Sequence, residues 1–400
     1  MDVQKLDDTM KYFIENQEMA GGELLIRKKG DVIFDHLWGF SDIQKEKPIE
    51  RNSIYRLMSM SKLITATAVM QLVERGILEL DAPVSRYLPE FGKPRVVTDD
   101  KWKFNEIDPV QVFQLLPHFS WKDVQTVPAT REPTIRDLLS HSSGLEQGVC
   151  GLLSMMKRPD DDADLEERVR KLARQPLDFV PGTETSYSPT AAYDLLGYLV
   201  QKFGGCKTFG EYLWKYIFLP LDMQDTTFHL SKEQKTRLVR LYERNNDGKL
   251  TDVTDTEKDL RGLLKEGSSG YEAGCGGLYG TVRDFDHFGQ MIHSGGKWNQ
   301  IRILKEETVE KMHKEAQKRH LEPFPGMTWG LGFCIRQNKD KGRFALSEGS
   351  YGWSGAFGTH FFIDPKEDLQ CVFMTNRADA GGSGFSISRK IEELVSEIWG

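Results

Sequence analysis

The chain has 400 residues, 39% of them hydrophobic and 28% charged, and a net charge of −7. That composition allows a sizeable core in two or three average domains or one large two-part fold. The negative balance, with no basic cluster interleaved with aromatics, excludes nucleic acid or an anionic membrane as the main partner.

From the N-terminus, the polar stretch Met1–Asp8 has no apolar signal core, and no later run is long enough to span a membrane, so a cytoplasmic location is expected. Asp7 to Asn16 predicts a short amphipathic helix. Gly22 to Asp35 predicts two strands joined at Lys29-Gly30-Asp31.

Ser59-Met60-Ser61-Lys62 then opens an apolar run, Leu63 to Val73, that stops at Gly76. This reads as a helix buried on most sides and ended by a glycine. Residues three apart share a helix face, which puts the Lys62 amine beside the Ser59 hydroxyl. A serine hydroxyl needs such a base, and a place for the developing oxyanion, to act as a nucleophile. The competing reading is a serine near the cap of a core helix. The short pattern recurs at Ser154-Met155-Met156-Lys157, but there Arg158, Pro159 and three aspartates follow and make a solvated break.

Helices dominate the next two hundred residues. Thr134–Ser140, the Leu165/Val169/Leu172 stripe, Ala191–Phe203 and Phe209–Phe218 are the main ones. The segment 93–130 carries Trp102, Phe104, Phe113, Phe119 and Trp121, and is expected to roof a site or to pack on the helices. His141 follows the first of these helices and precedes a glycine turn, a place open either to a catalytic base or to a helix end. Thr281-x-x-Asp284 is a capping-box-like helix start after a glycine-rich loop at 274–280. That loop lacks the G-x-x-x-x-G-K-[ST] of a phosphate cradle.

Strand signals return at Gly330–Ile335, Gly358–Ile363 and Leu369–Thr375, and Ile387–Trp399 predicts a terminal helix. The expected architecture is α/β (α+β). Strands from both chain ends form one antiparallel sheet flanked by helices, with an all-helical lobe inserted between them. In residue terms, 1–60 and 260–400 make the sheet lobe and 61–259 the helical lobe of one continuous unit, with a site at their seam. The five cysteines at 150, 206, 275, 334 and 371 show no C-x-x-C spacing and read as reduced, mostly buried thiols. The nine histidines form no metal-binding pattern, so neither metal nor cofactor is expected.

Four segments, S-M-S-K at 59–62, L-L-S-H-S-S-G-L at 138–145, P-G-T-E-T-S-Y-S at 181–188 and G-G-L-Y-G-T-V-R-D at 276–284, occur in an order that resembles the serine β-lactamase and penicillin-binding-protein superfamily. The resemblance runs from about residue 10 to the C-terminus and is to the class C β-lactamase-like esterases in particular, the family VIII carboxylesterases. It implies a β-lactamase-like fold and an acyl-serine mechanism. Ser59 would be the nucleophile, Lys62 and Tyr187 would share the general-base work, and the backbone N–H groups of Ser59 and Ala356 would form the oxyanion hole. It also implies that Trp353, Ser354 and Gly355 line the substrate.

Two departures stand out. Trp353 takes the place of the family's lysine or histidine, and Pro189 the place of an asparagine. Proline has neither a side-chain donor nor an N–H. Both losses subtract recognition of an anionic, amide-bearing antibiotic and point to neutral, fairly apolar substrates. The expected function is hydrolysis of small carboxylic esters. The alternatives are acyl transfer, weak β-lactamase or D-aminopeptidase activity on the same site and, from another class, a non-catalytic scaffold. A Ser-His-Asp hydrolase of the α/β type is excluded by the absence of G-x-S-x-G.

Overall fold

A computed structural model describes residues 3–99, 102, 116–156, 164–259, 271–317, 320–337 and 344–400. The helices used below are α1 (Val3–Glu15), α2 (Ser61–Glu74), α3 (Leu165–Leu172), α4 (Ala191–Phe203), α5 (Val282–His293) and α6 (Ser386–Trp399). The main sheet is built from β1 (Gly21–Lys28), β2 (Asp31–Asp42), β3 (Lys47–Pro48), β4 (Met327–Trp329), β5 (Cys334–Arg336), β6 (Tyr351–Ser354), β7 (His360–Asp364) and β8 (Leu369–Met374). Its order is β4-β5-β6-β7-β8-β1-β2-β3, antiparallel throughout.

The two chain ends therefore meet in one sheet, where β1 pairs β8 from Glu23 opposite Met374 to Lys28 opposite Leu369. Alternation along the strands gives each face its own core. Leu24, Ile26, Phe362, Cys371 and Phe373 pack against Leu6, Met10 and Phe13 of α1 and Ile387, Ile391, Leu394 and Val395 of α6. Leu25, Phe361, Ile363, Val372 and Met374 point the other way, into the cluster built on α2, α4 and α5. Each fully buried Leu, Ile or Phe contributes about 1.5–3 kcal/mol, so the two faces together fix the register firmly.

Helix α2 lies at the centre of the larger cluster, with Leu63, Ile64, Ala66, Ala68, Val69 and Leu72 all at 0% exposure. Being apolar all round, it has no solvent face. Its two buried threonines return their hydroxyls to backbone carbonyls: Thr65 Oγ1 to Ser61 O and Gly274 O, and Thr67 Oγ1 to Leu63 O.

Several sequence expectations shift. Gly330–Ile335 is not one strand. Gly330 to Phe333 form the turn between β4 and β5, with Gly332 at φ +104°. A Cβ at Gly332 would meet Ala66 at 2.4 Å, so a glycine is needed there for both reasons. The middle of the chain is not all-helical. Arg95–Val97 pairs Thr126–Pro128, and Tyr242–Arg244 pairs Leu250–Asp252. Three-residue strands are too short for a period-two pattern to register. Phe209–Phe218 is helical, as expected, but changes from α-helix to π-helix at Trp214.

In the segment 93–130, Trp102 and Phe119 pack with Val97, Val124, Val149 and Leu153; Phe104 and Phe113 lie outside the described residues, as do Lys157 and the three aspartates after it. Among the described residues no helix is long and apolar enough to cross a membrane.

Candidate active site

Ser59 sits in a 3₁₀ turn, Met58–Met60, that leads into α2. Met58 is held at φ +49°, a left-handed conformation uncommon for a side chain of that size. Such strain persists where the surroundings over-determine it. Here the turn after β6 supplies them. A Cβ on Gly355 would lie 2.4 Å from Leu57 O and 3.1 Å from Met58 Cβ, and Thr359 Oγ1 donates to Leu57 O at 3.0 Å. The glycine thus lets residues 355–356 approach the segment that carries Ser59.

Lys62, one turn on and 1% exposed, places its Nζ 3.1 Å from Ser59 Oγ. It also donates to Pro189 O at 2.8 Å and Cys275 O at 2.7 Å. Those three partners use the full donor capacity of an ammonium group. Pro189, a departure in the sequence, therefore enters the site through its carbonyl. No sequence pattern advertises a carbonyl, so neither acceptor was foreseeable.

The Lys62 Nζ also stands 5.0 Å from the centre of the Tyr187 ring. Tyr187 Oη accepts from Trp353 Nε1 at 3.2 Å. Ser59, Lys62, Tyr187 and Trp353 thus form one connected group. Ser354 does not join them. It alternates to the opposite face of β6, where its Oγ lies 2.8 Å from His360 Nδ1. Glu392 Oε1 of α6 is 3.0 Å from His360 Nε2, out of line for a hydrogen bond, and takes a direct bond from Arg336. Burial raises the Glu392 carboxyl, but Arg336 and His360 outweigh that and hold it at about 2. The Ser354 side chain thus turns away from Tyr187, because a strand cannot present neighbouring side chains to the same face, and only the backbone of this expected substrate-lining residue stays on the Trp353 side.

The wall around Tyr187 is aromatic. Trp329 stacks on it at 6.1 Å, Trp353 meets Trp329 edge-on at 4.6 Å, and Phe324, 36% exposed, stacks outside Trp353 at 6.3 Å. Trp329 and Phe324 were not singled out in the sequence; lone aromatics near a turn carry no signal of where they will point.

His141 is fully buried, at φ +52°, with its ring 4.8 Å from Tyr187 and 4.3 Å from Trp329. Its Nδ1 accepts from Ser188 N–H at 3.0 Å, and its carbonyl accepts from Ser186 N–H and Thr185 Oγ1. Burial first, and then the Lys62 charge, push the imidazole well below its usual range. The ring is neutral and clamps residues 185–188. Thr281 caps α5 by accepting from Asp284 N–H at 3.1 Å, but Asp284 turns its carboxylate to Asp225 N–H and Thr226 Oγ1 instead of completing a box. Among the described residues no three His, Cys, Asp or Glu side chains are grouped to hold a metal ion.

A family model described as Beta-lactamase matches residues 6–395. Esterase EstB of Burkholderia gladioli is 26% identical over 396 residues, covering 95% of this chain and 92% of its own. Among solved structures, EstCE1, described as a hydrolase with promiscuous acyltransferase activity, superposes with a TM-score of 0.78 at 24% identity, covering 100% of this chain and 98% of its own. Simvastatin Synthase (LovD) from Aspergillus terreus superposes with a TM-score of 0.76 at 20% identity, covering 98% of each chain.

Proposed function

The chain belongs to the beta-lactamase family, and on that premise we propose that it is a serine hydrolase cleaving small carboxylic esters through an acyl intermediate on Ser59. The observation that carries the reading is the Lys62 amine. With two of its N–H bonds committed to Pro189 O and Cys275 O, its third position faces Ser59 Oγ at 3.1 Å. In the neutral amine that position is a lone pair aimed at the serine O–H, and in the ammonium it is a donor to the serine oxygen. A proton can therefore pass from Ser59 to Lys62 without either group moving.

In this reading, Ser59 Oγ attacks the ester carbonyl as its proton passes to Lys62. The carbonyl oxygen becomes an oxyanion facing the backbone N–H groups of Ser59 and Ala356. Tyr187 returns a proton to the leaving alkoxide, and collapse of the intermediate expels the alcohol. Because the Trp353 indole can only donate, Tyr187 Oη accepts from it, which stabilises phenolate character when the proton leaves. Water then attacks the acyl carbonyl, with the same groups removing its proton and restoring Ser59. The name of the EstB relative supports an ester as substrate. The aromatic wall of Trp353, Trp329 and Phe324, with no cation added by position 353, supports a neutral, apolar one.

The test is turnover of a chromogenic butyrate ester, with a mass measurement of the acyl adduct. Ser59→Ala should abolish both while the melting temperature is kept. Unchanged turnover in that variant would refute the proposal.

A second reading, acyl transfer to an alcohol, is favoured by the same aromatic wall, which limits water around the acyl group. The EstCE1 description adds support. With butanol added, formation of the butyl ester at the expense of the acid distinguishes transfer from hydrolysis.

A further inference from the structure

Helices α3 and α4 enclose a charge network at the back of the site. Arg168, Glu146 and Asp194 have side-chain exposures of 1%, 0% and 0%. Arg168 Nη2 donates to Glu146 Oε1 at 2.7 Å, and its Nε lies 3.9 Å from Asp194 Oδ2. Burial works against the guanidinium charge, but Glu146, Tyr271 and Asp194 outweigh it and keep the group protonated. Three charges taken out of water add little stability compared with apolar packing of the same volume. Their use has to be sought in what they hold.

They hold the neighbours of both Lys62 acceptors. Pro189 and Cys275 lie in bends and turns, so no helix or strand ladder fixes their carbonyls. Pro189 also has no N–H by which it could be held. Thr190, the next residue, donates its Oγ1 to Glu146 Oε2 at 2.6 Å and accepts from Arg168 Nη2 at 3.2 Å. At the other acceptor, Cys275 N–H donates to Asp194 Oδ1 at 3.2 Å, while Tyr271 Oη donates to Asp194 Oδ2 at 2.6 Å. Arg168 joins the two halves.

We infer that Arg168, Glu146 and Asp194 position the Lys62 amine through the Thr190 and Cys275 tethers, setting its third N–H position on Ser59. They are positioning residues, since none of them touches Ser59 or the ester. The inference rests on the proton-accepting role of Lys62 given above. Each half fixes one of two carbonyls, so loss of either half leaves the amine free to swing. Misplacement of a reacting group by about 1 Å costs up to about a hundredfold in rate.

The experiment measures the second-order rate constant for phosphonylation of Ser59 by a fluorophosphonate, in which Ser59 Oγ bonds to phosphorus and fluoride leaves, per folded site, with melting temperature alongside. Thr190→Val and Asp194→Ala each remove one tether and should lower that constant about tenfold or more. Thr190→Ser and Asp194→Asn keep the hydroxyl and the accepting oxygen, and should return it to within about threefold of the parent. Arg168→Met should lower it at least as far; should that variant fail to fold, the two conservative pairs still decide. Lys62→Met is the reference and should be inert. Parent-like phosphonylation in Thr190→Val and Asp194→Ala beside an inert Lys62→Met overturns this inference alone. So does a fall in melting temperature without a fall in the rate constant, since a mere brace between helices behaves that way. Parent-like phosphonylation in Lys62→Met overturns the underlying mechanism and this inference with it.

Discussion

The indole N–H of Trp353 is directed at the phenol oxygen of Tyr187, 3.2 Å away. A side chain that looked in the sequence like the loss of a cation is thus a hydrogen-bond donor to the residue expected to move the proton. A neutral hydrogen bond contributes about 1 kcal/mol. Trp353→Phe keeps the aromatic wall and deletes the donor. We expect kcat for a butyrate ester to fall about fivefold with little change in KM. A KM effect alone would assign Trp353 to substrate packing only.

Lys62→Arg supplies a permanent positive charge but replaces the proton acceptor that faces Ser59 with a group that stays protonated. General-base catalysis is worth about 10²–10⁴ in rate, and we expect a loss in that range. Steady-state turnover checks it, with near-UV circular dichroism to verify the fold. Activity near the parent would mean that charge, not proton transfer, is what Lys62 supplies.

His141 differs from Lys62 in kind. Its ring is neutral, because burial and the Lys62 charge hold its titration far below the usual range. No limb of the pH–rate profile should therefore belong to it. His141→Ala should lower kcat about tenfold by freeing Tyr187 and Ser188. His141→Asn tolerates the positive φ and offers an accepting oxygen to Ser188 N–H, so it should recover part of that loss. A pH profile whose limb disappears in His141→Asn would contradict the positioning role.

Glu23 predicts how stability depends on pH. Burial between β1 and its neighbours, followed by repulsion from Asp35, raises its carboxyl to about 8, and Arg51 offsets only part of this. The unfolded chain releases that proton near the ordinary glutamate value of 4.5, whereas the folded one keeps it to about 8. The stabilisation is therefore full below the lower value and is lost as pH rises through the upper one, an effect on the order of 5 kcal/mol. Asp178 and Asp284, both raised by burial to about 6, act in the same direction over a lower window. Comparing Glu23→Gln with the parent isolates the Glu23 part. Melting temperatures from pH 6 to pH 9 should fall in the parent by several degrees more than in the variant; parallel curves would rule the account out.

Much of the architecture was legible because it rests on local periodicity. The run from Leu63 to Val73 announces a fully buried helix, and Ala191–Phe203 announces α4 to the residue. The alternating strands at both ends announce a sheet that one end cannot complete. The same reading missed the β4–β5 turn, because Gly330 and Gly332 sit among residues of strand-like composition. Only the close approaches they permit, to the Met312 carbonyl at Gly330 and to Ala66 at Gly332, distinguish them.

The amino-acid sequence by itself determined which side chains are available for chemistry and which of them share a helix turn. Lys62 beside Ser59 follows from their three-residue spacing across the 3₁₀ turn that leads into α2, since the helical repeat is a local property of the backbone. Only the tertiary structure decided what surrounds that pair. The carbonyls of Pro189 and Cys275, the donor from Trp353, the turning of Ser354 to the far face and the buried Arg168 network all depend on segments distant in the chain. Backbone carbonyls and side-chain directions leave no mark in residue identity; they acquire meaning only when packing fixes where each segment lies.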